Sequence, residues 1–285
     1  MTDNYPKDWT KVLPSGYSKL EEIIYEKKYY EPGGIARITI NRPDKMNAIT
    51  NKGMSEICDA LSDMSHDPTI GVGILTGAGD RAFCTGGDVG WEEIGGLRRQ
   101  FEQPININRA LRQCRKPVIA AINGATIGGG NHWAYFCDFA IASDHAVFGQ
   151  VGPRVGSPAD GYLVSYLISI VGAKKAREMW MLCRQYTAQE AFEMGLVNKV
   201  VSYDRLEAEV EKWCLEILDK NPNCIEVLKA SFDMDANYLM LSSHFLGQLM
   251  FPHYLGSDDH MEGPRAFREK RKPKWTRLKK EEVSS

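Results

Sequence analysis

The residues of this chain best suited to chemistry lie in two glycine-dense stretches, Phe83-Cys84-Thr85-Gly86-Gly87-Asp88 and Ile122-Asn123-Gly124-Ala125-Thr126-Ile127-Gly128-Gly129-Gly130. Each closely follows an apolar run that reads as a strand, Val72 to Thr76 and Val118 to Ile122. Glycine there lets backbone N–H groups approach a ligand with no Cβ in the way. Gly128 to Gly130 leads into Trp133-Ala134-Tyr135-Phe136-Cys137, so its free N–H groups fall at the start of an expected helix, where the dipole favours negative charge. Two such loops aimed at one point could hold the oxyanion that develops on a carbonyl. Either loop alone reads equally well as an ordinary strand-to-helix turn.

Positioning these loops requires an alternating framework, and the periodicity supplies one. Ile35 to Ile40 reads as a strand, Asn51 to Ser65 as an amphipathic helix, and Val72 to Thr76 as a second strand. Glu92 to Arg115 is expected to be mostly helical, followed by the strand Val118 to Ile122 and a short helix from Gly129 to Cys137. Phe139 to Ala142 and Ala146 to Phe148 read as further strands, then Ala173 to Cys183 and Ala188 to Met194 as helices. Gly195 stops the last of these before a strand over Leu196 to Val201. From Asp204 to about Arg271 only helical periodicity remains. Strands alternating with helices, then helices alone, indicate an α/β core with a helical C-terminal region. The expected division is an N-terminal extension over 1–17, a core over 18–203 and the helical region over 204–285. Alternation by itself also fits a doubly wound sheet.

Composition narrows the function classes. At 285 residues, 43% hydrophobic and 25% charged, the chain has the make-up of a soluble globular protein with a large core. A net charge of −2 implies no general attraction to nucleic acid or membrane. The Lys/Arg-rich end from Arg268 to Lys280 is the exception, as a solvated tail or a phosphate-binding element. Seven scattered cysteines with no CxxC pattern argue for reduced thiols in a cytoplasmic protein, without a disulfide framework or structural zinc. Residues 1–17 lack an apolar signal-peptide core, and no window approaches the apolar length of a transmembrane helix.

Taken in order, five motifs closely resemble the crotonase (enoyl-CoA hydratase/isomerase) superfamily. They are Asn41-Arg42-Pro43-Asp44-Lys45-Met46-Asn47-Ala48, Phe83 to Asp88, the triple glycine, Phe148-Gly149-Gln150, and Glu262-Gly263 with Ala266-Phe267 and Glu269-Lys270-Arg271. The resemblance runs from about Tyr25 to Trp275. Gly149 to Ser157 and Lys174 to Trp180 look most like the 1,4-dihydroxy-2-naphthoyl-CoA synthases and the ring-opening 2-ketocyclohexanecarboxyl-CoA hydrolases. The fold this implies is the ββα spiral of the crotonases, whose C-terminal helices build trimers or hexamers.

The resemblance also assigns roles. Gly87 and Gly129 match the oxyanion donors that bind the thioester carbonyl of a coenzyme A substrate. Lys45, Met46 and Ala48, with Thr85 and Asp88, match the coenzyme A path, and Phe267 and Lys270 the pair that closes the pocket on the phosphates. No tightly bound cofactor is implied, since coenzyme A arrives as part of the substrate. Hydratases carry two glutamates where this chain has His132 and Gly152, which removes the base and acid of ordinary water addition. In bicarbonate-using synthases an anion beside the residues matching Gln150, Gly152 and Trp180 replaces the missing carboxylate.

The synthases and hydrolases have Asp two residues beyond the serine matching Ser157; here Pro158 and Ala159 intervene and Asp160 follows one place later. Their C-terminal tyrosine aligns with Leu255, and Tyr254 sits one residue upstream. Asp160 is thus either a base with a raised pKa or the cap of a following helix. His132 is a general acid/base, an oxyanion donor or a core histidine, and with Asp160 would form a base-and-orienter pair.

The resulting expectation is hydrolytic opening of an alicyclic β-ketoacyl-CoA, with the reverse Dieckmann closure by a naphthoyl-CoA synthase next. Hydration or isomerisation of a cyclic dienoyl-CoA follows. A non-catalytic RNA-binding role for the basic end is disfavoured by the acidic overall balance.

Overall fold

The computed structural model describes residues 8–96, 106–157, 159, 161–233 and 256–275. Two sheets organise the core, which sets aside the doubly wound alternative. The larger has seven strands in the order β1 (Thr10–Lys11), β2 (Ile23–Tyr30), β3 (Gly33–Ile40), β4 (Ile70–Gly77), β6 (Val118–Ile122), β8 (Phe139–Ser143) and β11 (Lys199–Val201). Pairing is antiparallel up to β3 and parallel from β3 onward. The smaller sheet runs β10 (Gln185–Thr187), β9 (Val147–Gly149), β7 (Ala125–Ile127) and β5 (Ala82–Cys84), with β5, β7 and β9 parallel.

The chain alternates between the sheets. Strands β4 and β5 lead into helix α2 (Val89–Glu93), β6 and β7 into α4 (Gly129–Phe136), and β8 and β9 into α5 (Gly152–Val155). Three successive ββα turns therefore make the spiral, and each ends its short strand near the same place.

Burial explains why these segments become strands. Both faces of the large sheet are covered, so β6 reads Val-Ile-Ala-Ala-Ile with every residue buried. One face packs against α1 (Asn51–His66), α4 and the second sheet, through Ile38, Ile57, Leu61, Leu75, Phe83, Ile122 and Phe136. The other face, with Ile35, Val72, Ile74, Ile119 and Ile141, meets Leu206, Val210, Cys214 and Leu218 of α8 (Tyr203–Leu218). Helix α1 starts at Thr50, whose side chain accepts from the Lys52 N–H. Its buried Glu56 accepts the Glu21 and Glu22 N–H groups, each at 2.9 Å, tying the helix to the chain entering β2.

Several expectations are corrected. Strand β2 is absent from the sequence reading because Glu26, Lys28 and even the buried Tyr25 and Lys27 dilute the apolar signal. The short strands β5 and β7 lie inside the glycine motifs themselves. The extension over 1–17 is partly integrated: Thr10 pairs with Lys27, and the Arg37 guanidinium lies 3.9 Å from the Trp9 ring centroid. The helix expected from Ala173 is the second half of α6 (Tyr162–Leu182), split at Gly172 by a φ of 78°. In the second core Trp213 packs edge-on against Phe139. None of the helices among the described residues is long and apolar enough to cross a membrane.

Helix α4 touches β5 so closely that a Cβ on Gly130 would overlap the Cys84 carbonyl. The atoms it would meet first, O and C of Cys84, belong to backbone, so no rotamer change relieves the clash. Gly130→Ala should therefore lower stability by about 1–3 kcal/mol, read from the urea midpoint; an unchanged midpoint would contradict this contact.

Candidate active site

The two glycine loops emerge side by side because their strands pair in parallel, Ala82 with Ala125 and Cys84 with Thr126. Gly86 adopts φ 94° and Gly128 φ 58°, both in the region that favours glycine. A Cβ on Gly86 would stand 3.0 Å from the Gly129 nitrogen, and one on Gly129 3.2 Å from the Gly86 Cα. The loops are thus in backbone contact. Ile49 forms a parallel bridge with Gly87: its N–H donates to Gly86 O over 2.9 Å, and its carbonyl accepts from the Asp88 N–H over 3.0 Å. That bridge uses the peptide groups flanking Gly87 and turns the Gly87 N–H the other way. Gly129 is the first residue of α4 and has no acceptor within the helix. Two N–H groups without an acceptor among the described residues, on loops held together by glycine contact, form an arrangement able to take one oxyanion.

The segment from Arg42 to Ala48 braces this pair. Met46 and Asn47 both have positive φ, 52° and 54°. Asn47 is fully buried and donates to the carbonyls of Ala78 and Ala82, so it binds this segment to the start of the first loop. Thr85 Oγ1 donates to the Met46 carbonyl over 3.2 Å. Asp88 caps α2 through the Trp91 N–H and pairs with Arg42 over 3.1 Å. The Thr85 and Asp88 side chains are therefore engaged in holding the loop. Lys45 is exposed, and Ala48 accepts from Arg42 through its carbonyl.

On α4, His132 lies between Trp180 and Tyr135, with ring centroids 5.3 Å and 5.9 Å away. Its Nε2 is 3.2 Å from Gln150 Oε1; with that oxygen as acceptor, Nε2 carries the proton and Nδ1 is the free acceptor. One edge of the ring meets solvent, yet its packing pushes the imidazole pKa down to about 4 despite the Gln150 contact. His132 is consequently neutral at physiological pH. Gln150 Nε2 and Trp180 Nε1 are buried and have no hydrogen-bond partner among the described residues. Gly152 is required by packing, since a Cβ there would stand 2.6 Å from the Ser157 carbonyl; Ser157 also donates its N–H to the Gly152 carbonyl. Asp160, Tyr254 and Leu255 lie outside the described residues, as do Leu239, Phe245, Leu249 and Phe251.

Glu92 is the residue the sequence reading passed over. It is 8% exposed on α2, and its Oε1 stands 2.5 Å from where a Cβ on Gly87 would be. Burial, with the Asp88 charge adding to it, pushes its pKa up to about 7. The available signal was its place one turn beyond Asp88, on the helix that leaves the first glycine loop.

The last described helix, α10 (Asp258–Arg268), packs against α2 and α5. Arg268 pairs with Glu93 at 2.5 Å, and a Cβ on Gly263 would overlap the Val155 carbonyl. Glu262 is held by Arg271 and accepts the Lys274 N–H, which depresses its pKa to about 2. Two cations of the basic end, Arg268 and Arg271, are thus committed to ion pairs. Phe267 is 62% exposed and Lys270 takes φ 53°. Among the described residues no group of three His, Cys, Asp or Glu is arranged to hold a metal ion.

Comparison with known proteins agrees with this geometry. The family model for enoyl-CoA hydratase/isomerase matches residues 30–278. Among solved structures, an enoyl-CoA hydratase from Mycobacterium avium subsp. paratuberculosis K-10 is 26% identical, with 90% of this chain and 100% of that one covered at a TM-score of 0.74. An enoyl-CoA hydratase/isomerase from Xanthobacter autotrophicus Py2 is 28% identical, covering 88% and 94% at 0.75. A methylmalonyl-CoA decarboxylase in complex with 2-nitronate-propionyl-CoA is 25% identical, covering 90% and 99% at 0.77. With the spiral, the paired N–H donors and a match over most of its length, the chain belongs to the enoyl-CoA hydratase/isomerase family.

Proposed function

We propose that this acyl-CoA-processing enzyme hydrolyses a carbon–carbon bond in the ring of an alicyclic β-ketoacyl-CoA. The observation that carries the reading is the pair of free N–H groups at Gly87 and Gly129. A thioester oxygen placed between them gains negative charge when the bond between Cα and the ring ketone breaks. Each donor aimed at that charge is worth about 3 kcal/mol. Water adds to the ketone carbon, the electron pair of the broken bond passes into the thioester enolate, and Cα then takes a proton.

The preference over hydration rests on residue types. Positions 132 and 152, where hydratases carry glutamates, hold a neutral histidine and a glycine that packing demands. With Nε2 engaged by Gln150, His132 can accept a hydrogen bond from the attacking water through Nδ1. Asp160 is the second candidate for that task, with Ser157 three residues before it in the sequence. Lys45, Met46, Ala48, Phe267 and Lys270 are proposed to meet coenzyme A.

A second reading, ring closure by a Dieckmann-type synthase, is favoured by one observation. Gln150 Nε2 and Trp180 Nε1 are two buried donors without acceptors among the described residues, and a bicarbonate oxygen could satisfy them. The assembly proposed is a trimer or hexamer. Helix α9 (Pro222–Phe232) exposes Val227, Leu228 and Phe232, the last at 78%, and a contact between subunits would cover them.

Turnover of 2-ketocyclohexanecarboxyl-CoA in heavy-oxygen water should place the label in a new carboxylate, detected by mass spectrometry. Gain of water with the ring intact would indicate a hydratase. Water loss from an open-chain aryl-CoA that accelerates with added bicarbonate would indicate the synthase.

Removing the imidazole in His132→Ala should lower kcat by about 10²–10⁴ and leave KM nearly unchanged. Because the folded pKa is near 4 and the unfolded value near 6.5, protonation favours unfolding. This group's stabilisation is complete above about pH 6.5 and is lost as pH falls toward 4. His132→Gln should therefore lose less urea resistance than the parent over that interval. Light scattering at micromolar concentration should give a mass of three or six chains; a strictly monomeric mass would refute the assembly.

A further inference from the structure

Glu92 stands beside the oxyanion donors without a partner. Other buried carboxylates of the described structure are engaged: Glu56 by two backbone N–H groups, Glu209 by Lys199 and Trp213, Asp233 by Arg112, and Glu262 by Arg271. Glu92 has no hydrogen bond or ion pair to its carboxylate among the described residues. An isolated buried carboxylate costs stability, so its retention calls for a task.

Geometry suggests that task. The Glu92 N–H donates to Asp88 O over 2.9 Å, which fixes it one turn above the N-cap. Its neighbour Glu93 is held outward by Arg268, and Oε1 of Glu92 closes on Gly87, with the Trp91 ring 3.4 Å from the same Cβ position. A thioester Cα is one bond from the carbonyl carbon whose oxygen Gly87 binds. A carboxyl touching Gly87 is therefore within reach of that carbon.

We infer that Glu92 is a catalytic acid/base that moves a proton at Cα of the acyl group whose thioester oxygen is held by Gly87 and Gly129. The assignment rests on the acyl-CoA reading of the site and adds the group that completes it. In ring opening, the protonated carboxyl gives its proton to Cα as the enolate electrons form the C–H bond and the thioester carbonyl re-forms. The proton that water loses on adding to the ketone restores the acid. Run backward, the carboxylate removes the Cα proton and the same oxyanion takes the charge.

The protonation state suits this role. Asp88, itself paired with Arg42, is the charge that acts on Glu92; on α10 the cation reaching α2 is Arg268, bound to Glu93. With its pKa near 7, both forms are populated around neutrality. The sign of the stability effect follows. Above its ordinary value of 4.5 the unfolded chain releases this proton while the folded chain keeps it, so folding weakens as pH rises toward 7. Glutamine escapes that loss.

The test is exchange of the Cα hydrogen of cyclohexanecarboxyl-CoA in heavy water, followed by proton NMR. The parent should exchange it. Glu92→Gln should do so about 10²-fold more slowly or worse, with an unchanged dissociation constant by calorimetry and a higher urea midpoint at pH 8. Glu92→Asp should recover part of the rate. Exchange at the parental rate in a folded Glu92→Gln that binds the thioester normally would overturn the role of Glu92 and leave the acyl-CoA reading standing. A parent that binds no coenzyme A thioester would overturn both. Should Glu92→Gln fail to fold, the parent's exchange rate must still rise through about pH 7; a flat profile would overturn the assignment.

Discussion

Backbone-to-backbone contact between Gly86 and Gly129 is the constraint around which the rest of the structure is arranged. A Cβ at either position would stand only 3.0–3.2 Å from backbone of the other loop, so the two loops would have to give way where their N–H groups converge. The contact in turn depends on β5 and β7 pairing in parallel, and on α4 lying against Cys84 closely enough to require Gly130. Asn47 and the Ile49 bridge then fix the first loop from its other side. Small residues at these points reflect the need for close approach more than any need for flexibility.

Around that contact, burial divides the ionisable groups. The same loss of water lowers the His132 imidazole and raises the Glu92 carboxyl, because each loses its charged form. The result is a neutral hydrogen-bonding histidine on α4 and, on α2, a carboxyl balanced between its two forms. The Gln150 and Trp180 donors add a third element, polar but uncharged and without acceptors.

Much of this was legible in the sequence, for identifiable reasons. Glycine runs after apolar strands mark close approach, so the two loops stood out without coordinates, and the family resemblance pointed to Gly87 and Gly129 within them. Buried parallel strands such as β6 are continuous apolar runs and are easily read. Strand β2 was missed because its charged and aromatic residues fall on both faces, Tyr25 and Lys27 being buried, and β5, β7 and β10 because three residues carry no period. Glu92 was invisible for a different reason. A glutamate one turn past an N-cap is ordinarily solvated, and only the fold shows that this one turns inward. The roles of Asp88 as cap and of Glu262 as clasp likewise emerge only from their partners.

The three ββα turns also have a consequence for how such a site diversifies. Gly87 and Glu92 come from the first turn, Gly129 and His132 from the second, and Gln150, Gly152 and Ser157 from the third. Each wall is thus written by one contiguous stretch of chain, while the parallel pairing of β5, β7 and β9 keeps the three in register. Side chains on one wall can be exchanged without re-indexing the others. The scaffold behaves like a three-dial lock, in which the dials turn separately but always stop facing the same point.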